Sequence, residues 1–217
     1  MFLGPFSHSM IKRAVEKNLV QINLVNIRDF GLGKHKVVDD TPYGGGRGMI
    51  LRVDVLRNAT KAVRDLKLKK NEEKVVLLSP HGKTFNQSVS KKYSKLKHLI
   101  LVCGHYEGVD RRFDKFIDEK ISIGDFILTG GEIPAMLITD SVVRLIKGVL
   151  KEGVTSSESF SNLLEYPQYT KPGSFENLKV PQVLLSGNHK KIEEYRKKEA
   201  RKITLKLRPD LIKEQKK

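Results

Sequence analysis

The stretch ISIGDFILTGGEIP, residues 121–134, carries a clear indication of chemistry in this sequence. Its apolar run is interrupted at Gly124 and Asp125, and two glycines, Gly130 and Gly131, stand where one would serve for a turn. Glycine lets backbone N–H and C=O groups approach a bound molecule closely and with unusual dihedral angles. A backbone that wraps a small molecule explains all four residues, whereas the glycine pair alone also fits an ordinary turn from a strand into a helix.

Two further segments place a turn directly after an apolar strand. The first is LSP at residues 78–80, and the second is GHYE at residues 104–107. A ligand pocket is built from a few convergent walls. Three such turns, each ending an apolar run, therefore favour ligand binding over three unrelated turns.

Other common site chemistries are poorly represented. The segment DDTPYGGGRGM, residues 39–49, is rich in glycine and could expose N–H groups to a phosphate. No Gly-Lys-Ser/Thr follows it and no dinucleotide fingerprint precedes a helix, which argues against a nucleoside triphosphate site. The six histidines are scattered and no Cys/His spacing suits zinc, so no metal-ligand cluster is predicted.

Strands and helices alternate through the first 150 residues. Helices are expected over residues 10–17, 53–66 and 133–146, the last begun by Glu132 and Pro134, which suit a first helical turn. Buried strands are expected over the short apolar runs at residues 21–26, 74–79, 98–104 and 121–128. This alternation predicts an α/β domain with a largely parallel sheet over residues 1–150.

The pattern changes at residue 151. Residues 151–174 are rich in Ser, Gly and Pro and predict a flexible linker that can become ordered when a partner binds. The segment HKKIEEYRKKEARK, residues 189–202, predicts a basic helix. Residues 175–217 are therefore expected to form a small basic helical domain, too small to be stable without docking on something else.

The charge is strongly positive and unevenly distributed. Lys and Arg total 41 against 25 Asp and Glu, which gives a formal net charge of +16. Residues 188–217 hold 12 basic and 5 acidic residues, whereas residues 101–141 hold 4 and 8. This asymmetry favours a phosphate-rich partner that contacts particular faces, although any single lysine of the tail also fits a solvated surface.

A cytoplasmic protein is expected. No apolar run approaches the ~20 residues of a membrane span, and no basic segment followed by an apolar one marks a secretory signal. The single cysteine, Cys103, can form no disulfide within the chain and is expected to be a small core residue.

Several long motifs, in this order along the chain, resemble those of bacterial tRNA (guanine-N1)-methyltransferases of the SPOUT superfamily. They are DDTPYGGGRGM at 39–49, LSPHGK at 78–83, VCGHYEGVD at 102–110, the stretch at 121–134, YPQYTKP at 166–172 and LLSGNH at 184–189. The resemblance implies an α/β domain with a parallel sheet and a deep trefoil knot, followed by a small helical domain that grips tRNA. It also implies a homodimer that methylates N1 of the guanine 3′ to the anticodon, position 37, and so supports reading-frame maintenance.

The resemblance assigns the three turns at residues 78–80, 104–107 and 121–134 to S-adenosylmethionine, held in the knot. It also makes the glycine-rich loop at 39–49 part of the guanine pocket and RNA face, with Arg47 and Arg52 as candidates for phosphate contact. The implied cofactor-binding residues are Leu78, Ser79, Pro80, Gly104, Tyr106, Glu107, Ile123, Gly124, Asp125, Phe126, Ile127, Leu128, Gly130, Gly131 and Pro134.

Methylation of guanine N1 requires a base for its proton and a group that steadies the charge growing on O6. The resemblance implies Arg144 for O6, although an ordinary surface arginine at a helix end would look the same. The family's base is an aspartate before Ser-Phe in the linker. Here Glu158 stands before Ser159, one methylene longer, in a linker one residue shorter than the family pattern. Magnesium is also implied in the activity, with Glu107 as a candidate participant.

Relatives of this family begin with a strand, and the opening MFLGP resembles only the tail of that element. The first strand is therefore expected to be missing and the chain to be less stable than its relatives. Two other functions stay open: a tRNA-binding protein whose catalysis is impaired by the linker change, and a SPOUT methyltransferase that acts on ribosomal RNA.

Overall fold

The computed structural model describes residues 1–156 and 158–213. The chain divides into two compact units, Met1–Leu150 and Lys151–Lys217. Among the described residues, none of the helices combines the length and the apolar character that crossing a membrane would take.

The first unit is a mixed α/β structure. Its helices are α1 (Leu3–Phe6), α2 (Ser9–Glu16), α3 (Val53–Val63), α4 (Gln87–Tyr93) and α5 (Glu132–Val143), with 3-10 turns at Ile27–Phe30 and Arg111–Phe116. Its strands are β1 (Asp39–Asp40), β2 (Ile50–Leu51), β3 (Glu73–Thr84), β4 (His98–Cys103) and β5 (Glu119–Ser122). The predicted α/β class is thereby confirmed.

A three-stranded parallel sheet, in the order β4-β3-β5, forms the centre of this unit. Successive side chains of β3 point to opposite faces, so Val75 and Leu77 pack on one side and Val76 and Leu78 on the other. The first side is covered by α3 and Phe113, and the second by α4 and α5. Burial on both faces explains why the strand is a continuous apolar run.

Strand β3 extends beyond its apolar run because of one close backbone approach. Ile121 of β5 is the partner of both Leu78 and Lys83, and the residues between them leave the ladder. A Cβ atom on Gly82 would lie 2.4 Å from the backbone nitrogen of Ile121. Only glycine therefore lets the chain return to the ladder here.

Two strand predictions were wrong in part or in full. Residues 21–26 form no strand, because an extended segment becomes one only with a hydrogen-bonded neighbour and the described sheet offers none to it. The strand expected over 121–128 ends at Ser122, whose hydroxyl donates to the carbonyl of Gly124 and accepts from its N–H. These two bonds replace the ladder.

The three helices predicted in the first unit were correct in place and too long at the C-terminal end. Helices α2, α3 and α5 occupy the segments expected at 10–17, 53–66 and 133–146. The α3 helix ends at Val63 because Arg64 has extended dihedral angles. Helix α4 was not predicted: its sequence, QSVSKKY, is polar, and its clearest signal is the Asn86 side chain, which accepts from the N–H of Val89.

The second unit is built around one long helix. Its elements are a 3-10 turn at Val154–Ser156, the hairpin β6 (Ser174–Phe175) and β7 (Leu178–Lys179), and helices α6 (Gln182–Leu185), α7 (His189–Leu207) and α8 (Asp210–Lys213). The basic helix predicted over 189–202 is α7, and the Asn188 side chain caps it by accepting from the N–H of Lys191. It runs five residues further than predicted.

Residues 158–166 contact α7 and the segment after it. The N–H of Leu164 donates to Thr204 Oγ1 at 3.0 Å, the Arg196 guanidinium lies 4.8 Å from the centroid of the Tyr166 ring, and Arg208 lies 5.6 Å from that of Phe160. The segment predicted as a linker is therefore packed within the second unit at this point.

Thr204→Val is expected to destabilise the second unit by about 1–3 kcal/mol. Thr204 is 0% exposed, and its hydroxyl donates to Ala200 as well as accepting from Leu164. Valine keeps the shape but leaves the Leu164 N–H without its acceptor. Urea unfolding measures the loss, Thr204→Ser should retain most of the stability, and equal midpoints for Val and wild type would contradict the expectation.

Candidate functional site

A cavity of about 420 Å³ lies where the three parallel strands end. Its walls come from the turn after Leu78 in β3, from the turn that follows β4 and from the segment between β5 and α5. The carboxyl ends of parallel strands are the usual place for ligand sites in α/β sheets. Every predicted cofactor-binding residue lines the cavity except Asp125, which is exposed.

The two adjacent glycines have different environments. The N–H of Gly131 donates to the carbonyl of Gly104 at 2.8 Å, and a Cβ atom there would lie 2.6 Å from Cys103 Cα. A Cβ atom on Gly130 would instead meet the ends of the Glu132 and His105 side chains. Gly131 therefore lets two walls of the cavity join backbone to backbone, while Gly130 is limited only by side chains.

Gly124 shapes the third wall. Its φ of 149° is a conformation that favours glycine, and a Cβ atom there would lie 2.6 Å from the Phe126 ring. Phe126 and Ile127 are both largely exposed although they line the cavity. The interruption of the apolar run thus creates an open, partly apolar rim.

The glycine-rich loop at 39–49 lies against the turn after β4. The N–H of Glu107 donates to the carbonyl of Met49 at 3.1 Å, and a Cβ atom on Gly48, whose φ is 82°, would lie 2.5 Å from Glu107 Cγ. The structure thus brings this loop beside a cavity-lining carboxylate, and its part in a guanine pocket stays a prediction.

Arg52, a predicted candidate for phosphate contact, instead forms ion pairs with two aspartates of the same unit. Its guanidinium contacts Asp54 at 2.9 Å and Asp40 at 3.2 Å. The hydrogen bond with Asp54 raises the pKa of Arg52 and lowers the pKa of Asp54, so both groups stay charged at neutral pH. Arg47, by contrast, is exposed.

Sequence reasoning missed a charged group on the cavity wall. Lys120 of β5 lies 2.7 Å from Asp114, which also accepts from Arg111 at 2.9 Å, and all three line the cavity. The sequence signal that could have indicated this group is a lysine in the middle of a short buried strand. The lysine contacts Asp114, which lies in a 3-10 turn, and hydrophobic periodicity does not predict such a turn.

Cys103 is shielded beside the cavity, and burial, with a smaller contribution from the charge of Glu132, raises the pKa of its thiol to about 12. The thiolate reacts, so a raised pKa lowers the reactive fraction at pH 8. We expect alkylation of the native protein by iodoacetamide to be roughly 100-fold or more slower than alkylation in urea. Similar rates in the two states would contradict this expectation.

The two predicted catalytic residues lie in different units. Arg144 is the C-cap residue of α5, where its N–H donates to the carbonyl of Asp140, and it does not line the cavity of the first unit. Glu158 is half-buried in the second unit, where the N–H and hydroxyl of Ser161 both donate to its backbone carbonyl. Their catalytic roles stay predictions.

Among residues 1–156 and 158–213, no group of three or more His, Cys, Asp or Glu side chains could hold a metal ion. Glu107 supplies a single carboxylate on the cavity wall. One carboxylate is too few for a magnesium site built by the protein alone. A magnesium ion bound there would take its other oxygen ligands from substrate or water.

Comparison with known proteins gives a consistent result. The family described as tRNA (Guanine-1)-methyltransferase TrmD matches residues 1–214. A tRNA (guanine-N(1)-)-methyltransferase of Dictyoglomus turgidum is 54% identical over 214 residues, which cover 98% of this chain and 85% of the relative. Proteins of the same name from Clostridium botulinum strain Langeland and Carboxydothermus hydrogenoformans are each 51% identical, over 97% and 98% of the chain and 87% and 83% of the relatives.

Proposed function

The chain belongs to the tRNA (guanine-1)-methyltransferase family, and from that premise we propose that it methylates N1 of the guanine immediately 3′ of the tRNA anticodon. The methyl donor is S-adenosylmethionine. The observation that carries this proposal is the glycine-lined cavity at the carboxyl ends of the three parallel strands.

The cavity suits a donor of this size and chemistry. Its volume of about 420 Å³ lies within the range of roughly 300–1,000 Å³ that small-molecule sites occupy. Its walls combine apolar side chains with partly exposed backbone at Gly104 and Gly130, where the absence of a side chain lets a purine approach closely. When bound, S-adenosylmethionine supplies an electrophilic methyl group on a sulfonium.

The protein's own contribution is positioning and proton transfer. Glu158 accepts the N1 proton of guanine as the nitrogen attacks the methyl carbon, and Arg144 donates hydrogen bonds to the O6 atom, on which negative charge grows. The C–S bond breaks as the N–C bond forms, so no covalent intermediate with the protein is needed. Orientation of the two reactants can supply several kcal/mol of the rate enhancement.

A trefoil knot accounts for two of the glycine contacts. Gly82 and Gly131 both bring the chain against the backbone of another segment, at Ile121 and Cys103 respectively. A chain drawn through its own loop would bring backbone segments this close together, and such a knot would be an exception to the usual absence of knots. The family resemblance implies the same path.

A homodimer accounts for the apolar surface of α5. This helix is apolar on almost every side: Ile138 and Val142 are buried in the core, whereas Ile133 and Leu137 are 47% and 45% exposed. A helix that is apolar all round is normally covered. A second copy of the chain would cover that face.

The second unit supplies the charge for tRNA. Its α7 helix is rich in lysine and arginine, and Tyr169 is largely exposed and able to stack on a base. Tyr166 is covered by Arg196 and is assigned to packing instead. Residues 175–217 then form the tRNA-binding domain, and residues 151–174 carry Glu158 to the reaction.

Incubation with labelled S-adenosylmethionine tests the function directly. Two tRNA transcripts that differ only in the base 3′ to the anticodon are compared, one with guanine and one with adenine. Label is expected only in the guanine transcript. In a parallel incubation with ribosomal RNA, label there and not in tRNA would favour the ribosomal alternative. A filter-binding assay that shows tight tRNA binding without any transfer would favour a catalytically impaired protein.

A further inference from the structure

The turn that carries Glu158 is closed by two residues that bond each other reciprocally. Ser159 Oγ accepts from the backbone N–H of Glu165 at 3.0 Å and donates to Glu165 Oε2 at 3.4 Å. The backbone N–H of Ser159 donates to the same carboxylate oxygen at 3.4 Å. The two residues are half-buried and six positions apart, so they fasten the beginning of the segment to its end.

The backbone between them is also bonded. The N–H of Ser161 donates to the carbonyl of Glu158 at 3.1 Å, and the N–H of Phe160 donates to the carbonyl of Leu163 at 3.1 Å. Phe160 has a φ of 67°, a left-handed conformation that a non-glycine residue adopts only where its surroundings impose it. The Ser159–Glu165 pair is one source of that constraint.

The closed turn is anchored to α7 in the same unit. The N–H of Leu164, the residue before Glu165 in the turn, donates to the buried hydroxyl of Thr204. Gln168 Nε2 donates to the other carboxylate oxygen, Glu165 Oε1, at 3.3 Å. The carboxylate of Glu165 therefore connects the residue after Glu158 to the chain on the far side of the turn.

We propose that Ser159 and Glu165 are positioning residues for Glu158, and this inference rests on the proposed function of Glu158 as the base. A glutamate side chain has one more rotatable bond than aspartate and spans more positions. Fixing its backbone reduces that spread, and a misplacement of ~1 Å in a reacting group can cost about 100-fold in rate. The pair acts through the backbone of Glu158 and contributes no atom to the reaction.

Single-turnover methylation at saturating donor and tRNA tests the pair. Ser159→Ala and Glu165→Ala are each expected to lower the rate constant by roughly 10- to 100-fold, with the KM for tRNA and the Kd for S-adenosylmethionine within about twofold of wild type. Ser159→Thr keeps the hydroxyl and should restore most of the rate. Glu16→Gln alters an exposed carboxylate in α2, outside the segments proposed for the donor, the tRNA and catalysis, and serves as the control.

The double variant Ser159→Ala/Glu165→Ala distinguishes a pair from two separate effects. Each single change removes the hydroxyl–carboxylate bond that the two residues share and leaves one of the two backbone bonds, so the double variant should be slower than either single variant but by much less than the product of the two losses. Losses that multiply would overturn the proposal. A wild-type rate constant in Ser159→Ala or Glu165→Ala would also overturn it. If that variant had a lower melting temperature and a higher KM, the residue would have a structural role only. If Ser159→Ala does not fold, the rate constant of Glu165→Ala alone tests the positioning role.

Glu158→Gln in the same assay separates this inference from its premise. A normal rate in Glu158→Gln would remove the base itself and with it the proposal. Loss of activity in Glu158→Gln together with normal rates in Ser159→Ala and Glu165→Ala would overturn the positioning role and leave the proposed function intact.

Discussion

Glu158→Gln is expected to lower the single-turnover rate of methyl transfer by about 100- to 10,000-fold, the usual contribution of a positioned general base. The guanine N1 atom carries a proton at neutral pH, and an amide cannot accept it. S-adenosylmethionine affinity should be nearly unchanged, because the cavity is built from the first unit and Glu158 belongs to the second. Quench-flow with labelled donor measures the rate, and calorimetry measures the affinity.

Two further variants make this result specific. Glu158→Asp restores the residue that the family resemblance implies and should keep substantial activity, because the two carboxyl groups are similar bases and the difference is one methylene. Glu16→Gln removes an exposed negative charge from α2, outside the proposed binding and catalytic segments, and should leave the rate unchanged. A normal rate in Glu158→Gln would show that the carboxylate of Glu158 is not the base.

The central sheet could be predicted from the sequence because strands buried on both faces contain short runs of consecutive apolar residues. Strand β4 is largely apolar and β3 contains the apolar run from Val75 to Leu78, and α5 begins at Glu132 as its first-turn residues indicate. The extension of β3 past Leu78 could not be predicted. It depends on the contact between Gly82 and the backbone of Ile121, two residues that the sequence separates by 39 positions.

The walls of the cavity were predictable as a set, because each turn follows a strand and parallel strands bring such turns to one edge. The reason for the second glycine was not. Gly131 is required by the backbone of Cys103, a neighbour defined only by strand order. The Lys120–Asp114 contact was missed for the same reason, since its two members come from different elements.

The Ser159–Glu165 pair illustrates a second limit. Serine and glutamate six residues apart have no periodic relation that indicates contact, and the segment's composition predicts only a linker. The contact arises from the turn between them, which places a non-glycine residue, Phe160, at positive φ. A local hydrogen-bond network can therefore order a segment whose composition suggests flexibility.

Gly131→Ala is expected to destabilise the first unit by about 3 kcal/mol and to abolish binding of S-adenosylmethionine. The added Cβ atom would lie 2.6 Å from Cys103 Cα and 2.9 Å from the nitrogen of Gly104. Both are backbone atoms at the end of a buried strand, so relief requires moving β4 or separating the two walls. Separation would break the 2.8 Å hydrogen bond from Gly131 to Gly104 and open the cavity.

The neighbouring glycine is the matched control for this change. At Gly130 an added methyl group meets the ends of the Glu132 and His105 side chains, which can rotate away, so Gly130→Ala should cost less than about 1 kcal/mol. At Gly4 nothing lies within 4 Å, so Gly4→Ala should be neutral or slightly stabilising. Chemical denaturation ranks the three variants, and calorimetry follows donor binding. Equal stability of the Gly131 and Gly130 variants would show that the two walls are not joined through the backbone, because only that junction distinguishes the two sites.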